Sequence, residues 1–260
     1  MLTDANIRRA AEWISQAKSV VVLTGAGVSA ESGLTTFRAP EEGMWSKYDP
    51  MELATIDAFN RDPELVTRWY HWRFTKALDV EPNPGHAALA NLQRWLDGAH
   101  KRFTLITQNV DGLHQRAGST GVIEIHGSIL RWRCTETGEE MPLTDVSFET
   151  FPVPSEAGGL MRPCVVWFGE MLPPEAIEGA TAALSSCDVF LSIGTSATVY
   201  PAAGFIEIAR TAGAKTIEVN RDPTPIGGGV DRAIAGQSGV VLPHLVELLK
   251  QMGDGRDELE

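Results

Sequence analysis

The sequence has few cysteines, no long apolar segment and no excess of basic residues. Its three cysteines, Cys134, Cys164 and Cys187, are too few for a disulfide framework and fit a reducing compartment. No apolar run approaches the roughly 18 residues that a membrane helix needs, and no basic segment followed by an apolar one marks a secretion signal. The net charge of −12 argues against a direct nucleic-acid ligand. We therefore expect a cytoplasmic protein without a membrane partner.

What the sequence does contain is an alternation of short apolar strands and helical patterns, which is typical of an α/β fold. Helices are predicted near the start of the chain, after Asp4, and at 63–78, 86–96, 201–212 and 243–252, followed by a loose charged tail. The predicted strands are 19–24, 103–107, 122–126, 188–193 and 216–219. The order predicts a doubly wound, Rossmann-like parallel sheet.

Two stretches, 34–61 and 131–161, have no clear period, and long ordered loops of this kind are usually functional. Together with the helix at 63–78 they predict a small module inserted into the larger domain. The expected division is a dinucleotide-binding domain of residues 1–34, 79–130 and 162–253. The small module then comprises 35–78 and 131–161, and 254–260 form the tail.

Small and hydrogen-bonding residues follow five of the predicted strands. Because the carboxyl ends of parallel strands meet at one edge of a sheet, these residues are expected to converge there. They are the loop from Gly25 to Gly33, Gln108-Asn109-Val110-Asp111, His126-Gly127, Gly194-Thr195-Ser196 and Asn220-Arg221.

The glycine loop after the first strand suits a pyrophosphate, since glycine permits close backbone approach, although a tight structural turn explains it equally well. No acidic strand end follows about 20 residues later, where an ordinary dinucleotide site has one. The adenosine half is therefore expected on Ser196, Asn220 and Arg221.

The histidine and acidic residues each have two interpretations. His126 is either a packed strand-end residue or a general base, because an imidazole that titrates near neutrality can take a proton from a sugar hydroxyl. Asp111 is equally suited to a helix cap, and Asn109 to a stabilised turn.

Several motifs together resemble the sirtuins, NAD-dependent protein-lysine deacylases. The resemblance rests on Gly25-Ala26-Gly27-Val28-Ser29-Ala30-Glu31-Ser32-Gly33, Phe37-Arg38, Thr107-Gln108-Asn109-Val110-Asp111-Gly112-Leu113-His114, His126-Gly127, Val165-Val166-Trp167-Phe168-Gly169-Glu170, Gly194-Thr195-Ser196 and Pro201-Ala202-Ala203. These motifs occur in the family's order from about residue 20 to 245.

The resemblance implies NAD as cofactor and a set of residues that contact it: Gly25, Ala26, Gly27, Ser29, Phe37, Arg38, Gln108, Asn109, Asp111, Gly194, Thr195, Ser196, Asn220 and Arg221. It implies His126 as general base, with Asn109 as the second catalytic residue and Asp111 on the nicotinamide carboxamide. In the implied reaction an acyl-lysine oxygen attacks the ribose carbon that bears nicotinamide. His126 then deprotonates the ribose hydroxyls, and the products are lysine, nicotinamide and O-acyl-ADP-ribose.

The resemblance also implies where an acylated protein substrate lies. The segment containing Val166, Phe168, Gly169 and Glu170 resembles the family's substrate edge, where a peptide adds as a β-strand, although an ordinary core strand explains its apolar residues.

Tyr70 and Arg73, at i and i+3 on one helix, match the Tyr-x-x-Arg pair of the subgroup that removes succinyl, malonyl and glutaryl groups. Thr36 also resembles that subgroup. The alternative for the pair is a solvated arginine beside an amphipathic tyrosine.

The sequence departs from the family at its structural zinc site, which needs two Cys-x-x-Cys pairs. Only Cys134 remains, with Thr137, Val153 and Glu156 in the other positions. We expect no metal, and a module held instead by apolar residues: Met141, Leu143, Val146, Phe148, Phe151 and Val153. Thr35 replaces the family's usual proline on the loop that covers nicotinamide.

Two other functions use the same residues. ADP-ribose transfer to a protein, or NAD hydrolysis, would use the same pocket with another nucleophile. A nucleotide sensor without turnover would need a damaged catalytic set, and Asn109, Asp111 and His126 are all present. The expected enzyme is a monomer acting on acylated proteins.

Overall fold

The computed structural model describes residues 2–34, 47–196, 200, 202–222, 224 and 229–257. The helices in this part of the chain are α1 (Leu2–Gln16), α2 (Ala26–Ala30), α3 (Pro50–Leu53), α4 (Ile56–Arg61), α5 (Pro63–Asp79), α6 (Pro84–Gly98), α7 (Leu113–Arg116), α8 (Pro174–Leu184), α9 (Phe205–Thr211) and α10 (Ser238–Asp257). The strands are β1 (Ser19–Thr24), β2 (Arg102–Thr107), β3 (Ile123–Glu124), β4 (Gly127–Cys134), β5 (Glu140–Pro142), β6 (Met161–Val165), β7 (Val189–Ile193), β8 (Lys215–Asn220) and β9 (Arg232–Ala235).

The larger sheet has the order β3-β2-β1-β7-β8-β9, and all of its neighbouring strands are parallel. Its two central strands, β1 and β7, are buried along their whole length because helices cover both faces. Helices α1, α6 and α10 pack on one face, and α8 and α9 on the other. The chain builds outward from β1 and then returns to the other side of β1 as β7. The predicted doubly wound sheet is therefore confirmed, with its switch point between β1 and β7.

Helix α10 is longer at both ends than the predicted helix at 243–252. At its start, the Glu31 carboxylate accepts hydrogen bonds from the Ser238 hydroxyl and from the Gly239 amide, at 3.1 and 3.0 Å to its two oxygens. Glu31 thus accepts from a backbone N–H of the first turn, which has no partner within the helix, and this allows the helix to begin before Pro243. The helix continues to Asp257, so most of the segment predicted as a loose tail is helical; Met252, just before it, packs against the core.

Two other predicted elements also change. The strand predicted at 122–126 is reduced to the two residues of β3, because the chain leaves the large sheet at His126 to enter β4. The helix predicted at 201–212 is a 3-10 turn, Ala202–Gly204, followed by α9, and Pro201 lies outside the described residues. None of the helices described for this chain is both long and apolar enough to span a bilayer.

The small module is built on an antiparallel sheet of order β5-β4-β6. Strands β4 and β6 pair from Gly127 opposite Val165 to Cys134 opposite Met161. The sheet therefore extends beyond the range 131–161 at both ends, since its pairing takes in residues 127–128 and 162–165. Strand β5 is short and the register of β4 on β6 shifts between Ser128 and Trp132, so this stretch of sequence has no regular strand period.

An apolar cluster joins this sheet to helix α5. The six apolar residues predicted to hold the module all belong to it: Met141, Leu143, Val146, Phe148, Phe151 and Val153. The Phe148 ring lies 4.9 Å from the Phe74 ring and 5.1 Å from the Trp132 ring, measured between centroids. Aromatic contacts of this kind stabilise beyond the area they bury.

We predict that Phe148→Ala lowers the free energy of unfolding by about 2 kcal/mol, because it removes the ring at the centre of this cluster. Chemical denaturation of the purified variant measures the change. The control is Val240→Ala, since Val240 is exposed and its truncation is expected to cost no more than about 0.5 kcal/mol. If both variants lowered the free energy of unfolding equally, the cluster would not have the stabilising role given to it here.

Candidate active site

The carboxyl ends of the central strands meet at one edge, as predicted from their parallel arrangement. Thr24 at the end of β1 lies opposite Thr107 of β2 and Ile193 of β7, and Ile193 lies opposite Val219 of β8. The segments that follow these strands therefore share one edge of the sheet. The switch point between β1 and β7 lies at this edge.

The glycine turn after β1 packs directly on the turn after β7. The Gly27 amide donates to the Gly194 carbonyl at 2.7 Å, and the Gly25 amide donates to the Ile193 carbonyl at 3.0 Å. A Cβ at Gly27 would lie 2.6 Å from the Gly194 oxygen, and one at Gly25 would lie 2.8 Å from the Thr195 Cα. The two turns therefore pack backbone against backbone, and a side chain at Gly25 or Gly27 would not fit between them. We call these two turns the glycine cradle.

Ser29, on α2, connects this cradle to the turn after β2. Its hydroxyl donates to Asp111 Oδ2 at 2.7 Å and accepts from Asn109 Nδ2 at 3.0 Å. Asn109 Nδ2 also donates to the Gly25 carbonyl at 3.1 Å. Three predicted site residues, Ser29, Asn109 and Asp111, are therefore brought into one hydrogen-bonded group.

The Asp111 carboxylate is almost completely buried. Burial raises the pKa of this carboxyl, while hydrogen bonds from Leu113 N and Ser29 and the positive charge of Arg73 lower it. The Leu113 amide donates to Asp111 Oδ1 at 2.9 Å, so Asp111 also caps the short helix α7. Asp111 thus holds Ser29 with one oxygen and caps α7 with the other, so a ligand contact would use a remaining lone pair of either oxygen.

Two buried histidines, His86 and His114, lie behind this group. The sequence analysis assigned neither of them a role. The Asn83 amide donates to His86 Nδ1 at 3.3 Å, so His86 Nε2 carries the hydrogen and faces the Ser29 hydroxyl at 3.5 Å. His114 Nε2 is 2.8 Å from Thr24 Oγ1. The Asn-Pro sequence that begins α6 was the available signal, since it marks a helix start that buries His86.

His126 lies beside the Gln108–Asp111 segment with its ring only partly buried. His126 Nδ1 is 3.0 Å from the Gln108 carbonyl oxygen. A carbonyl can only accept, so Nδ1 carries the hydrogen and Nε2 of the neutral ring has the lone pair. Burial lowers the pKa of His126, and the Gln108 hydrogen bond raises it. The imidazole is therefore oriented to accept a proton at Nε2.

The remaining predicted cofactor residues differ in how closely they join this group. Gln108 Nε2 donates to Thr195 Oγ1 at 2.9 Å, and Asn220 Nδ2 donates to the Thr195 carbonyl at 2.8 Å. Ala26 is half-buried on the cradle, and Ser196 is exposed just beyond it. The Arg221 side chain is exposed and pairs with its neighbour Asp222 at 3.0 Å. Phe37 and Arg38 lie outside the described residues, as do Thr35 and Thr36.

The segment predicted as the substrate edge is held between the two parts of the protein. The Val166 amide donates to the His126 carbonyl and the Phe168 amide to the Ala54 carbonyl, both at 2.9 Å. These two amides are thus already used within the protein. Gly169 has φ of 87°, and a Cβ there would meet no atom within 4 Å. The space beside the Gly169 Cα is therefore open among the described residues.

Glu170 has a different role from the predicted substrate contact. Its carboxylate accepts from both terminal nitrogens of buried Arg162, at 2.7 and 2.9 Å, and from the Trp167 amide at 2.8 Å. Both oxygens are therefore engaged inside the protein. Glu170 closes the turn that carries Gly169 rather than extending toward a ligand.

Tyr70, on α5, contacts this segment, and Arg73 lies three residues further along the same helix. The Tyr70 hydroxyl accepts from Trp167 Nε1 at 2.9 Å, and burial raises the pKa of Tyr70 to about 12 although the Arg73 charge opposes the shift. The Arg73 Cζ lies 5.0 Å from the centroid of the Trp69 ring. Arg73 also lowers the pKa of Asp111, so its positive charge acts on the Asp111 carboxyl as well as on the Tyr70 phenol.

The zinc positions of the small module carry a single thiol. Cys134 is buried and donates from Sγ to the Gly158 carbonyl at 3.1 Å, and Cys164 and Cys187 are buried elsewhere, as predicted. The described residues include no cluster of three or more histidine, cysteine, aspartate or glutamate side chains able to hold a metal. The donors present at Cys134 do not fit a tetrahedral zinc site.

Known proteins share this sequence and fold. Residues 25–201 match the model of the Sir2 family. An NAD-dependent protein deacylase 2 from Pyrobaculum aerophilum is 49% identical over 241 residues, which cover 93% of this chain and 95% of that protein. The crystal structure of a Sir2 homologue in complex with NAD has a TM-score of 0.87 at 42% identity and covers 94% of each chain.

A second solved structure, a Sir2 homologue variant in complex with 2′-O-acetyl ADP ribose, has a TM-score of 0.86 at 42% identity. It covers 94% of this chain and 96% of the other. The chain therefore belongs to the Sir2 family of NAD-dependent protein deacylases.

Proposed function

We propose that this enzyme removes acyl groups from protein lysines with a preference for acidic acyl groups such as succinyl and malonyl. The observation that carries the assignment is the position of His126, whose ring is fixed beside the Gln108–Asp111 segment with Nε2 free of the hydrogen. The larger sheet with its helices forms the NAD-binding domain. The small module, with β4 and β6 included in full, is the second domain.

The glycine cradle lies at the switch point of the parallel sheet, which is where open α/β sheets bind nucleotide ligands, and this position suits the pyrophosphate of NAD. Gly25, Ala26, Gly27, Gly194 and Thr195 would hold this part of NAD. Bound NAD supplies a ribose carbon that is activated for attack by departure of nicotinamide.

The other predicted contacts complete the proposed site. Asn109 and Asp111, fixed by Ser29, would orient the nicotinamide end, where the Asp111 carboxylate accepts from a carboxamide. Residues of the later strand ends and of the loop after α2 would hold the rest: Gln108, Ser196, Asn220, Arg221, Phe37 and Arg38.

His126 is proposed as the general base that takes a proton from a ribose hydroxyl at its Nε2 atom. The hydrogen bond from Nδ1 to the Gln108 carbonyl supports this role in two ways. It fixes the tautomer, and it stabilises the imidazolium that forms when Nε2 is protonated.

We predict that His126→Ala lowers kcat/KM for NAD-dependent deacylation roughly 100-fold or more, the range of general-base catalysis. In the wild-type enzyme, activity should fall only when pH drops through the pKa of His126, which burial holds below 6.5. The pH dependence of kcat/KM measures this acid limb. His244→Ala, at an exposed histidine, is the control. Unchanged turnover in His126→Ala would overturn the assignment.

The preference for acidic acyl groups is supported by the chemistry around Tyr70 and Arg73. At neutral pH the buried Tyr70 keeps its proton, since its pKa is raised to about 12. Arg73 is half-buried, and its charge is felt by both Tyr70 and Asp111. A phenol donor beside a guanidinium can bind a carboxylate by charge-assisted hydrogen bonds, and an acetyl group offers no such acceptor.

We predict that Arg73→Met lowers kcat/KM for a succinyl-lysine peptide roughly 10- to 100-fold more than for the acetyl-lysine peptide of the same sequence. Release of nicotinamide and formation of O-acyl-ADP-ribose measure both rates. Arg68→Met is the matched control, because Arg68 lies on the same helix but pairs with exposed Glu64. An equal loss on both peptides would remove the proposed preference.

We also propose that the small module folds without zinc. The support is that only one of the family's four zinc positions carries a thiol and that an apolar cluster fills the space between β4 and α5.

Elemental analysis of the purified enzyme should therefore find zinc far below one atom per chain, and a chelator should leave the melting temperature unchanged. A melting temperature that falls with the chelator, together with one bound zinc, would show that other donors replace the missing cysteines.

A further inference from the structure

The Trp167 side chain, between Val165 and Glu170, contacts Tyr70 of the proposed acyl-selecting pair. It is 1% exposed, and its indole stacks on the Tyr70 ring with centroids 6.2 Å apart and planes inclined by 29°. Its Nε1 donates to the Tyr70 hydroxyl at 2.9 Å. The segment thus contacts helix α5 through a directional hydrogen bond as well as through packing.

The direction of this bond determines what Tyr70 can do. An indole nitrogen is a donor only, so the Tyr70 oxygen is the acceptor in the pair. The hydroxyl hydrogen must then point away from Trp167. A hydroxyl that accepts one hydrogen bond is a stronger donor in the next, because bonds in a chain polarise one another.

The indole itself is held on its other side. The Arg162 Cζ lies 3.4 Å from the centroid of the Trp167 ring, and Arg162 is 4% exposed. Glu170 fixes this guanidinium with both oxygens and also accepts from the Trp167 amide. The backbone and the ring of Trp167 are therefore held by one ion pair, which leaves the indole little freedom to turn away from Tyr70.

We infer that Trp167 is a specificity-determining positioning residue, which acts through Tyr70. By occupying the phenol oxygen as an acceptor site, it directs the Tyr70 hydroxyl hydrogen toward the carboxylate of an acidic acyl group beside Arg73. The inference rests on the proposed acyl preference. An acetyl group has no carboxylate to receive this hydrogen, so the arrangement matters little for its removal.

The test compares Trp167→Phe, Tyr70→Phe and the double variant, using succinyl- and acetyl-lysine peptides of one sequence. Each single variant should lower the succinyl-to-acetyl ratio of kcat/KM roughly 5- to 15-fold, the range for one hydrogen bond. The loss should appear in KM for the succinyl peptide, since the carboxylate is bound equally before and during reaction. In the double variant the ratio should equal that of Tyr70→Phe alone, because Trp167 acts through the hydroxyl.

A merely structural tryptophan gives a different pattern. It lowers both activities in parallel, and its effect adds to that of Tyr70→Phe; either result overturns the inference. Trp95→Phe, in α6 against the larger core, is the control for general loss of tryptophan packing and should leave the ratio unchanged.

A second measurement does not depend on the folding of Trp167→Phe. The indole N–H resonance of Trp167 should shift in Tyr70→Phe, and in the wild-type enzyme it should move on addition of the succinyl peptide but not of the acetyl peptide. An indole resonance that ignores the succinyl peptide overturns the inference.

The result for Arg73→Met separates the two proposals. Equal losses on both peptides in Arg73→Met mean that the acyl preference itself fails. A selective loss in Arg73→Met without one in Trp167→Phe means that only the role of Trp167 fails.

Discussion

The contact between two glycine turns, after β1 and after β7, is the constraint on which the site depends. The Gly27 amide meets the Gly194 carbonyl at 2.7 Å, closer than any side chain would allow. Closing the switch point in this way places Ser29 within reach of Asp111. It also brings Thr195 to the side chains of Gln108 and Asn220. The contact between the two turns therefore positions these residues, and side-chain hydrogen bonds then join them.

Two buried histidines, His86 and His114, lie beneath this surface and carry no positive charge. Burial lowers the pKa of His86 to about 4 and that of His114 to about 3, so both rings are neutral at physiological pH. Neutral rings can support Ser29 and Thr24 without the cost of burying an ion. The cation that acts on Asp111 is instead Arg73, on helix α5 of the small module. The charge of Arg73 therefore acts on the pKa of Asp111 as well as on that of Tyr70.

The sequence was sufficient to predict the convergence of strand-end residues, because parallel strands bring their carboxyl ends to one edge whatever the register. It was insufficient where a distant partner decides the outcome. Glu31 starts α10 from a position 207 residues away, Arg162 engages the carboxylate of Glu170, and Trp167 bonds to Tyr70 across 97 residues. Neither the hydrophobic period of a segment nor its secondary-structure propensity indicates which distant residue it will contact.

The alternation of strands and helices determined the fold class by itself, and the motifs between Gly25 and Ala203 indicated the family by their resemblance. Local backbone preference and hydrophobic burial specify these features along the chain. The tautomer of His126 and the use of Glu170 inside the protein were decided only by the tertiary structure. So were the direction of the Tyr70 hydroxyl and the limits of the small sheet. Each depends on which atom of a remote residue lies within hydrogen-bond distance, and only the packed chain brings those atoms together.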